Sequence, residues 1–408
     1  MGKMERRFLD FFERNIIWFL YAFITLAALA LRWQFIDWRS PDYNSYLEPW
    51  FLELKAAGGL KGLGQVIGNY NVLYLFLMAL LTYVPLEPIV LIKGLSIAMD
   101  FLGAFAGALL CRGKERGLNH MTSVMAYGIL LMLPNVFVNS SVWAQCDFSY
   151  TVFIMFGIVL LLQDRFRWAV IAFGIAFCFK LQAVFFLPVL LVYYVSKKKF
   201  SILEFLWWPA VWIFTSLPAV LMGRSIRSVA MIYRDQVTLY HWLTLSYPNI
   251  YQLFQKTGSE METYALFSEM AILLTLAVLG IGCVYAVKKK MVFGCEELLG
   301  FSAWCAFTCV LFLPAMHERY GFLAEILTVC YAFVKKNAWS YVTAILNNGV
   351  SIMIYVAMMF GTIQLSYFIL ALFNIMAYVL LTYQVLLQGR ENGGAGQSCS
   401  EEISEARA

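Results

Sequence analysis

The chain has 408 residues, 62% of them hydrophobic, 17% aromatic and 13% charged, with a formal net charge of +5. Soluble domains run at about 45–50% apolar and about 25% charged. This composition therefore excludes an ordinary water-soluble fold, which would have to expose very large apolar patches. The basic residues sit in short clusters beside apolar runs, the distribution of positive-inside anchors, so the excess charge is no nucleic-acid signal.

In chain order, Lys3, Arg6, Arg7 and Arg14 precede a first apolar run at roughly residues 15–35 and predict a cytoplasmic N-terminus. The run lacks a small-residue cleavage site and continues into Arg32-Trp33, so it reads as a retained span. A polar, aromatic loop over 37–70 then lies outside. Apolar segments at 71–86 and 88–111 lead to Arg112, Lys114 and Arg116. Two full crossings would strand this basic cluster outside, so either one segment does not cross or the charge rule fails here.

Residues 121–137 go out, and 148–162 return to the Asp164-Arg165-Arg167 turn. The stretches 168–179 and 183–195 are short for full spans and predict a hairpin with Lys180-Leu181-Gln182 at its tip. Residues 202–222 go out, 223–262 lie along the outer interface, and 264–286 return to Lys288-Lys289-Lys290. Residues 297–315 go out to His317-Glu318-Arg319, and 320–334 return to Lys335-Lys336. Two last spans, near 339–359 and 362–387, leave a Gly-, Ser- and Glu-rich tail, 389–408, disordered in the cytoplasm. The predicted fold is an all-α, polytopic integral membrane bundle of about 10–13 transmembrane or half-spanning helices, a single domain over 1–388. The nine cysteines show no metal-ligand spacing and read as small apolar packers.

On this count the Lys/Arg triplets all fall inside and five segments fall outside: four polar clusters, and the aromatic stretch Tyr233–Tyr251, which reads as an interfacial amphipathic helix or as a lid or acceptor platform. Ionisable groups at membrane depth cost about 2.5–3.5 kcal/mol each on insertion scales and persist when paired or functional. The first cluster, Asp37 to Trp50, holds Asp37, Asp42 and Glu48; a carboxylate at the edge of a partly desolvated pocket suits a general base. Its structural alternative is a helix cap at Asp42. The second, Trp143-Ala144-Gln145-Cys146-Asp147, also reads as an interfacial Trp with a capping Asp147. The third is Lys180, a snorkelling lysine unless functional, with no acid beside it in sequence. The fourth, His317-Glu318-Arg319-Tyr320, is at least a local ion pair. Together Lys180, Arg319 and His317 predict a positive region that suits a phosphate, beside a base at Asp42, which fits displacement of a phosphate leaving group. No Walker loop, nucleotide fingerprint, HExxH or nucleophile elbow occurs.

Asp42-Tyr43 through Pro49-Trp50, Gly58-Gly59, Tyr70, Lys93 with Asp100, Trp143 to Asp147, Phe179 to Gln182, Tyr247-Pro248-Asn249-Ile250-Tyr251 and Met316 to Tyr320 follow in an order that resembles the GT-C superfamily of membrane glycosyltransferases. The chain looks most like the bacterial relatives of the glycosylphosphatidylinositol mannosyltransferase II family, and the pattern also parallels the dolichyl-phosphate-glucose glucosyltransferases. The resemblance covers about residues 30–330; family members often carry Gly where this chain has Ala144. It implies an inverting transfer of a hexose, mannose or glucose, from a polyprenyl-phosphate donor to a glycan or lipid-linked acceptor on the extracytoplasmic face. Asp42 would be the catalytic base. Lys180, Gln182, His317 and Arg319 would bind the donor phosphate. Gln145, Asp147 and Glu318 would orient the acceptor or the loop, with Asp37 and Glu48 as second choices for the base. It implies no cofactor beyond the lipid-linked donor and no required metal. A flippase or transporter of lipid-linked sugars and a polysaccharide polymerase are the competing readings; internal repeats and broken helices, the transporter signature, are not evident in the sequence.

Overall fold

The computed structural model describes residues 2–112, 117–255, 263–361 and 366–388. Lys114, Arg116, the end of the 223–262 segment, the start of the last span and the 389–408 tail lie outside the described residues.

Sixteen α-helices carry the described chain: α1 (Lys3–Trp33), α2 (Glu48–Ala56), α3 (Val72–Leu81), α4 (Pro88–Cys111), α5 (Met121–Met132), α6 (Pro134–Phe137), α7 (Asp147–Leu162), α8 (Phe166–Phe179), α9 (Leu187–Lys197), α10 (Trp207–Leu221), α11 (Ile226–Val237), α12 (Tyr264–Lys288), α13 (Cys295–Phe312), α14 (Phe322–Lys335), α15 (Ala338–Phe360) and α16 (Tyr367–Thr382). Seven elements are long and apolar enough to cross a bilayer, α5 and α6 form one further bent candidate, and four shorter apolar helices complete the set. The chain is an all-α, multi-pass membrane bundle, as predicted. Its core is continuous, while α1, α10 and α12 turn mostly apolar, exposed surface outward, the arrangement of helices that face lipid.

The parity conflict after residue 70 resolves on length. Helix α3 has ten residues, about 15 Å at 1.5 Å per residue, half the hydrocarbon thickness. Helix α4, with 24 residues, is long and apolar enough for a full crossing. These lengths fit a single crossing between the 37–70 loop and Arg112, with which the charge rule is consistent. The 50° bend between α5 and α6 falls at Leu133, whose extended backbone (ψ 124°) is what a following proline imposes. Helix α8 has fourteen residues, about 21 Å, so the Lys180 tip stops partway through a bilayer-sized span, as the hairpin reading requires.

Two buried polar joints hold the loop after α1. Arg32 and Asp100 meet at 2.9 Å, both sealed from solvent, and Ser140 donates to the same Asp100 oxygen at 2.6 Å. The Arg32 guanidinium also donates to the Leu131 and Ala28 carbonyls. Lys93 Nζ donates to the carbonyls of Phe35 (2.6 Å) and Trp38 (2.5 Å), the turn that ends α1. Removing one partner of a buried pair strands a charge and costs about 3–5 kcal/mol, whereas replacing both is often near neutral. Arg32→Met is therefore expected to destabilise the protein sharply, and Arg32→Met with Asp100→Leu to regain most of the loss. Thermal unfolding of the three variants in detergent checks this.

Candidate functional site: a charged cavity at one end of the bundle

A cavity of about 380 Å³ opens where the polar clusters converge. Asp42, Gln145, Lys180, Gln182, His317, Glu318 and Arg319 all line it. Asp147 stands directly behind Lys180. Asp37 and Glu48 do not line it: Asp37 is exposed, and Glu48 is held by Arg39 (2.7 Å) and the Tyr43 hydroxyl (3.1 Å). Of the three carboxylates in the first cluster, Asp37 to Trp50, Asp42 alone lines the cavity.

Asp42 is free to do so because it is not a cap. The helix through the first loop begins at Pro41, and Asp42 has helical backbone angles with no capping bond. Ser40 takes the capping role: its hydroxyl accepts from the Tyr43 amide (3.1 Å) and donates to the Trp143 carbonyl (2.7 Å). Asp42 Oδ2 instead receives three donors from distant segments: Gln145 Nε2 at 2.7 Å, Trp143 Nε1 at 3.0 Å and the Arg319 guanidinium at 3.3 Å. The carboxylate keeps 28% exposure, enough for a substrate to reach it.

Asp147 is not a cap either. It is the first residue of α7, and the cap position before it belongs to Cys146. Its two oxygens take Lys180 Nζ at 2.5 Å and Asn139 Nδ2 at 2.8 Å. Lys180, which lacks an acid nearby in sequence, thus has one in space, and it does not snorkel: it is buried, with its ammonium over the Tyr70 ring. Trp143 is buried rather than interfacial.

Arg319 ties the site together. Its Nη1 donates to Gln145 Oε1 at 2.5 Å, its Nε to Glu318 at 3.2 Å, and the guanidinium lies over the Trp143 ring. Burial would raise the Glu318 carboxyl, but the hydrogen bond from His317 and the Arg319 charge outweigh it and hold it at about 2. Its folded value lies below the ordinary carboxylate range, so its stabilising contribution is present above that range and is lost as pH falls toward about 2. Burial pushes the Tyr70 phenol up to about 12, so it stays a neutral donor to Gln145 Oε1 at 3.0 Å.

The expected positive region is therefore a balanced network. Two permanent cations, Lys180 and Arg319, face three carboxylates, Asp42, Asp147 and Glu318, and each cation is already paired. Any anionic ligand must win these cations by exchange.

The turn between Trp143 and Gln145 is strained. Ala144 has φ 65°, the left-handed region where a Cβ is strained and glycine is at ease. The strained turn aims Gln145 at Asp42. Ala144→Gly is expected to leave the site intact and raise stability by up to about 1 kcal/mol; thermal unfolding reads it.

Helix α11 and the segment after it are more than an interfacial strip. Gln236, Leu239, Tyr240, Trp242, Leu245 and Ser246 wall the cavity, and the loop is pinned by Ala315 N to Leu243 O and Tyr247 N to Met316 O, both at 3.2 Å. Helix α11 is anchored by Asn71 to the Tyr233 hydroxyl at 2.8 Å and by Gln236 to the Asn69 carbonyl. On sequence alone the stretch Tyr233–Tyr251 reads as a lid or acceptor platform or as an interfacial amphipathic helix; nothing there singles out Tyr240 and Trp242, nor the Trp143 indole as a donor to Asp42. Their only sequence signal is an aromatic-rich polar stretch.

Beside the cavity runs an apolar groove of about 800 Å³ between α9 and α12, lined among others by Val184, Leu191, Leu276, Leu279 and Val284. The 3₁₀ turn Leu181–Phe186 belongs to both: Gln182 lines the cavity, and Val184 and Phe185 line the groove. From Ile272 to Lys288 the groove follows α12 for about 24 Å.

Fold and site together define a polytopic membrane protein with a charged, aromatic-walled cavity at one end of an all-α bundle. A scan against protein-family models finds no match, and neither does a search of curated proteins.

Proposed function

We propose that the chain is an inverting glycosyltransferase of the GT-C type, which moves a hexose from a polyprenyl-phosphate donor to a glycan or lipid-linked acceptor at the extracytoplasmic membrane surface. The observation that carries this reading is the meeting of Asp42 and Arg319 at 3.3 Å in a cavity that shares a wall with a long apolar groove. A lipid-linked sugar has a matching anatomy: a polar head, a phosphate, and an isoprenoid tail that needs an apolar seat open to the bilayer.

In this reading the tail lies between α9 and α12 and the sugar phosphate enters the cavity. The phosphate draws Arg319 from Asp42, with Lys180, Gln182 and His317 along its approach. Asp42, released from its counter-charge, becomes a stronger base. It takes the acceptor hydroxyl proton while that oxygen bonds to the anomeric carbon. The bond from that carbon to the phosphate oxygen breaks, its electron pair leaves with the polyprenyl phosphate, and configuration inverts. Arg319 stabilises the charge that develops on the leaving group. Gln145 and Trp143 keep Asp42 aimed, and Tyr240 and Trp242 offer ring faces to a sugar. These residues need no metal for proton transfer or for phosphate binding.

The test is transfer by the purified protein in detergent, with radiolabelled polyprenyl-phosphate mannose and glucose as donors. Labelled acceptor product supports the enzyme; binding of the donor without turnover favours a transporter, since transport has no meaning in detergent. Product carrying a transferred oligosaccharide would point to a polymerase.

A further inference from the structure

Helix α11 begins just after Leu221, where an element long and apolar enough to cross the bilayer ends. It therefore starts at the membrane boundary, and its twelve residues run for about 18 Å to Val237. At 3.6 residues per turn, Val229, Ile232 and Gln236 share one side. Val229 and Ile232 are buried, and Gln236 bonds to the Asn69 carbonyl, so this side packs on the bundle. The rest of the surface divides into two strips. Ile226, Ala230 and Val237 form an exposed apolar strip, with Ile226 70% and Val237 62% accessible. Leu221 and Met222, exposed where α10 ends, extend it. Beside it, Arg227 and Arg234 stand exposed, seven residues and thus two turns apart.

The charge on this helix is uncompensated. Asp235 is the one acid in α11, and the first turn holds none. Arg224 lies buried at the turn before the helix and donates through Nε to the Ser228 hydroxyl at 3.3 Å. Among the described residues, none of Arg224, Arg227 and Arg234 forms an ion pair. The positive end of the helix dipole adds to the same sign. An apolar strip flanked by arginines is the pattern of a helix seated in the lipid headgroup layer, apolar side toward the acyl chains. Arginine suits phosphate there through its planar fork. A free phosphate would answer the arginines but leave Ile226 and Val237 uncovered; a lipid answers both.

We propose that α11 is a docking surface for anionic phospholipid, with Ile226, Ala230 and Val237 against acyl chains and Arg227 and Arg234 on headgroup phosphates. The excess of arginine over acid selects anionic over zwitterionic lipid, at about fivefold in affinity per basic residue near the surface. The far end of α11 carries Gln236 into the cavity wall, and the chain behind it carries Tyr240 and Trp242. Bound lipid therefore braces that wall. The proposal stands on this helix and does not depend on the transfer reaction.

The test uses the purified full-length protein in detergent micelles, titrated with phosphatidylglycerol, with phosphatidylcholine of the same chain length, or with sodium phosphate at matched ionic strength. Thermal unfolding is the readout. Phosphatidylglycerol is expected to give a saturable rise in Tm of a few degrees, phosphatidylcholine a much smaller one, and sodium phosphate none. The double variant Arg227→Gln/Arg234→Gln changes two exposed side chains and is expected to keep the fold. Its phosphatidylglycerol midpoint should lie about thirtyfold higher, two arginines at about fivefold each. Arg6→Gln/Arg7→Gln, in the exposed first turns of α1, is expected to leave the response as in wild type. Equal responses to the two lipids or to sodium phosphate would overturn the proposal. So would an unchanged midpoint in the α11 variant, or a response lost in the α1 variant instead.

Discussion

Replacing Asp42 by asparagine is expected to lower sugar transfer by about 10²–10⁴-fold while leaving the protein folded. The side chain keeps its size, and the helix start stays capped because Ser40 supplies the cap. What is lost is the proton acceptor. The carboxylate receives Gln145, Trp143 and Arg319 on one oxygen, Oδ2; among the described residues no hydrogen bond is seen on Oδ1, which faces an acceptor hydroxyl in this reading. Asparagine can still accept those hydrogen bonds through its carbonyl, but it cannot take up a proton in the transition state. The measurement is initial transfer rate at saturating donor, beside the Tm of the variant. A parallel Glu48→Gln variant is expected to retain near wild-type transfer, because Glu48 faces Arg39 and Tyr43 instead of the cavity.

Arg319→Ala is expected to lower turnover by about 10²–10³-fold, the loss typical of one donor to a developing oxyanion, and to weaken donor binding as well. It is also expected to destabilise the protein. The guanidinium now touches Asp42, Gln145 and Glu318, and Glu318 is buried, so its removal leaves a buried carboxylate whose one other ion-pair partner among the described residues is His317. Arg319→Lys separates the two effects. A lysine supplies one positive charge and can still serve Glu318, but it lacks the planar fork that lets an arginine hold Gln145, Glu318 and a phosphate at once. Its stability should approach wild type while turnover stays low. Equal loss of stability and of turnover in both variants would reduce Arg319 to a structural ion-pair partner.

The membrane bundle was legible because its signals are local. A spanning helix is a run of about 20 apolar residues, and α4, α12 and α15 declare themselves in that way. The bend at Leu133 and the half-length α3 were harder, since a proline or a short run permits several geometries. The site was legible as a set of outlying polar clusters, but its wiring was not. Lys180 carries no acid near it in sequence, yet Asp147 pairs with it from another helix. Asp42 has the position of a cap, yet Ser40 takes that task. Pairings of this kind depend on which helix ends meet, and no local pattern records it. Arg32 with Asp100 is the same lesson inside the bundle: two charges that each look costly alone become one joint.

The central claim is that one cavity takes a lipid-linked phosphate at Arg319 while its tail follows the groove between α9 and α12. A structure determined with undecaprenyl phosphate bound tests this most directly. The account predicts phosphate within hydrogen-bond reach of Arg319, Asp42 no longer paired with that guanidinium, and isoprenoid density running past Val184 and Leu279. Phosphate bound away from Arg319, or a tail that leaves on another face of the bundle, would contradict it.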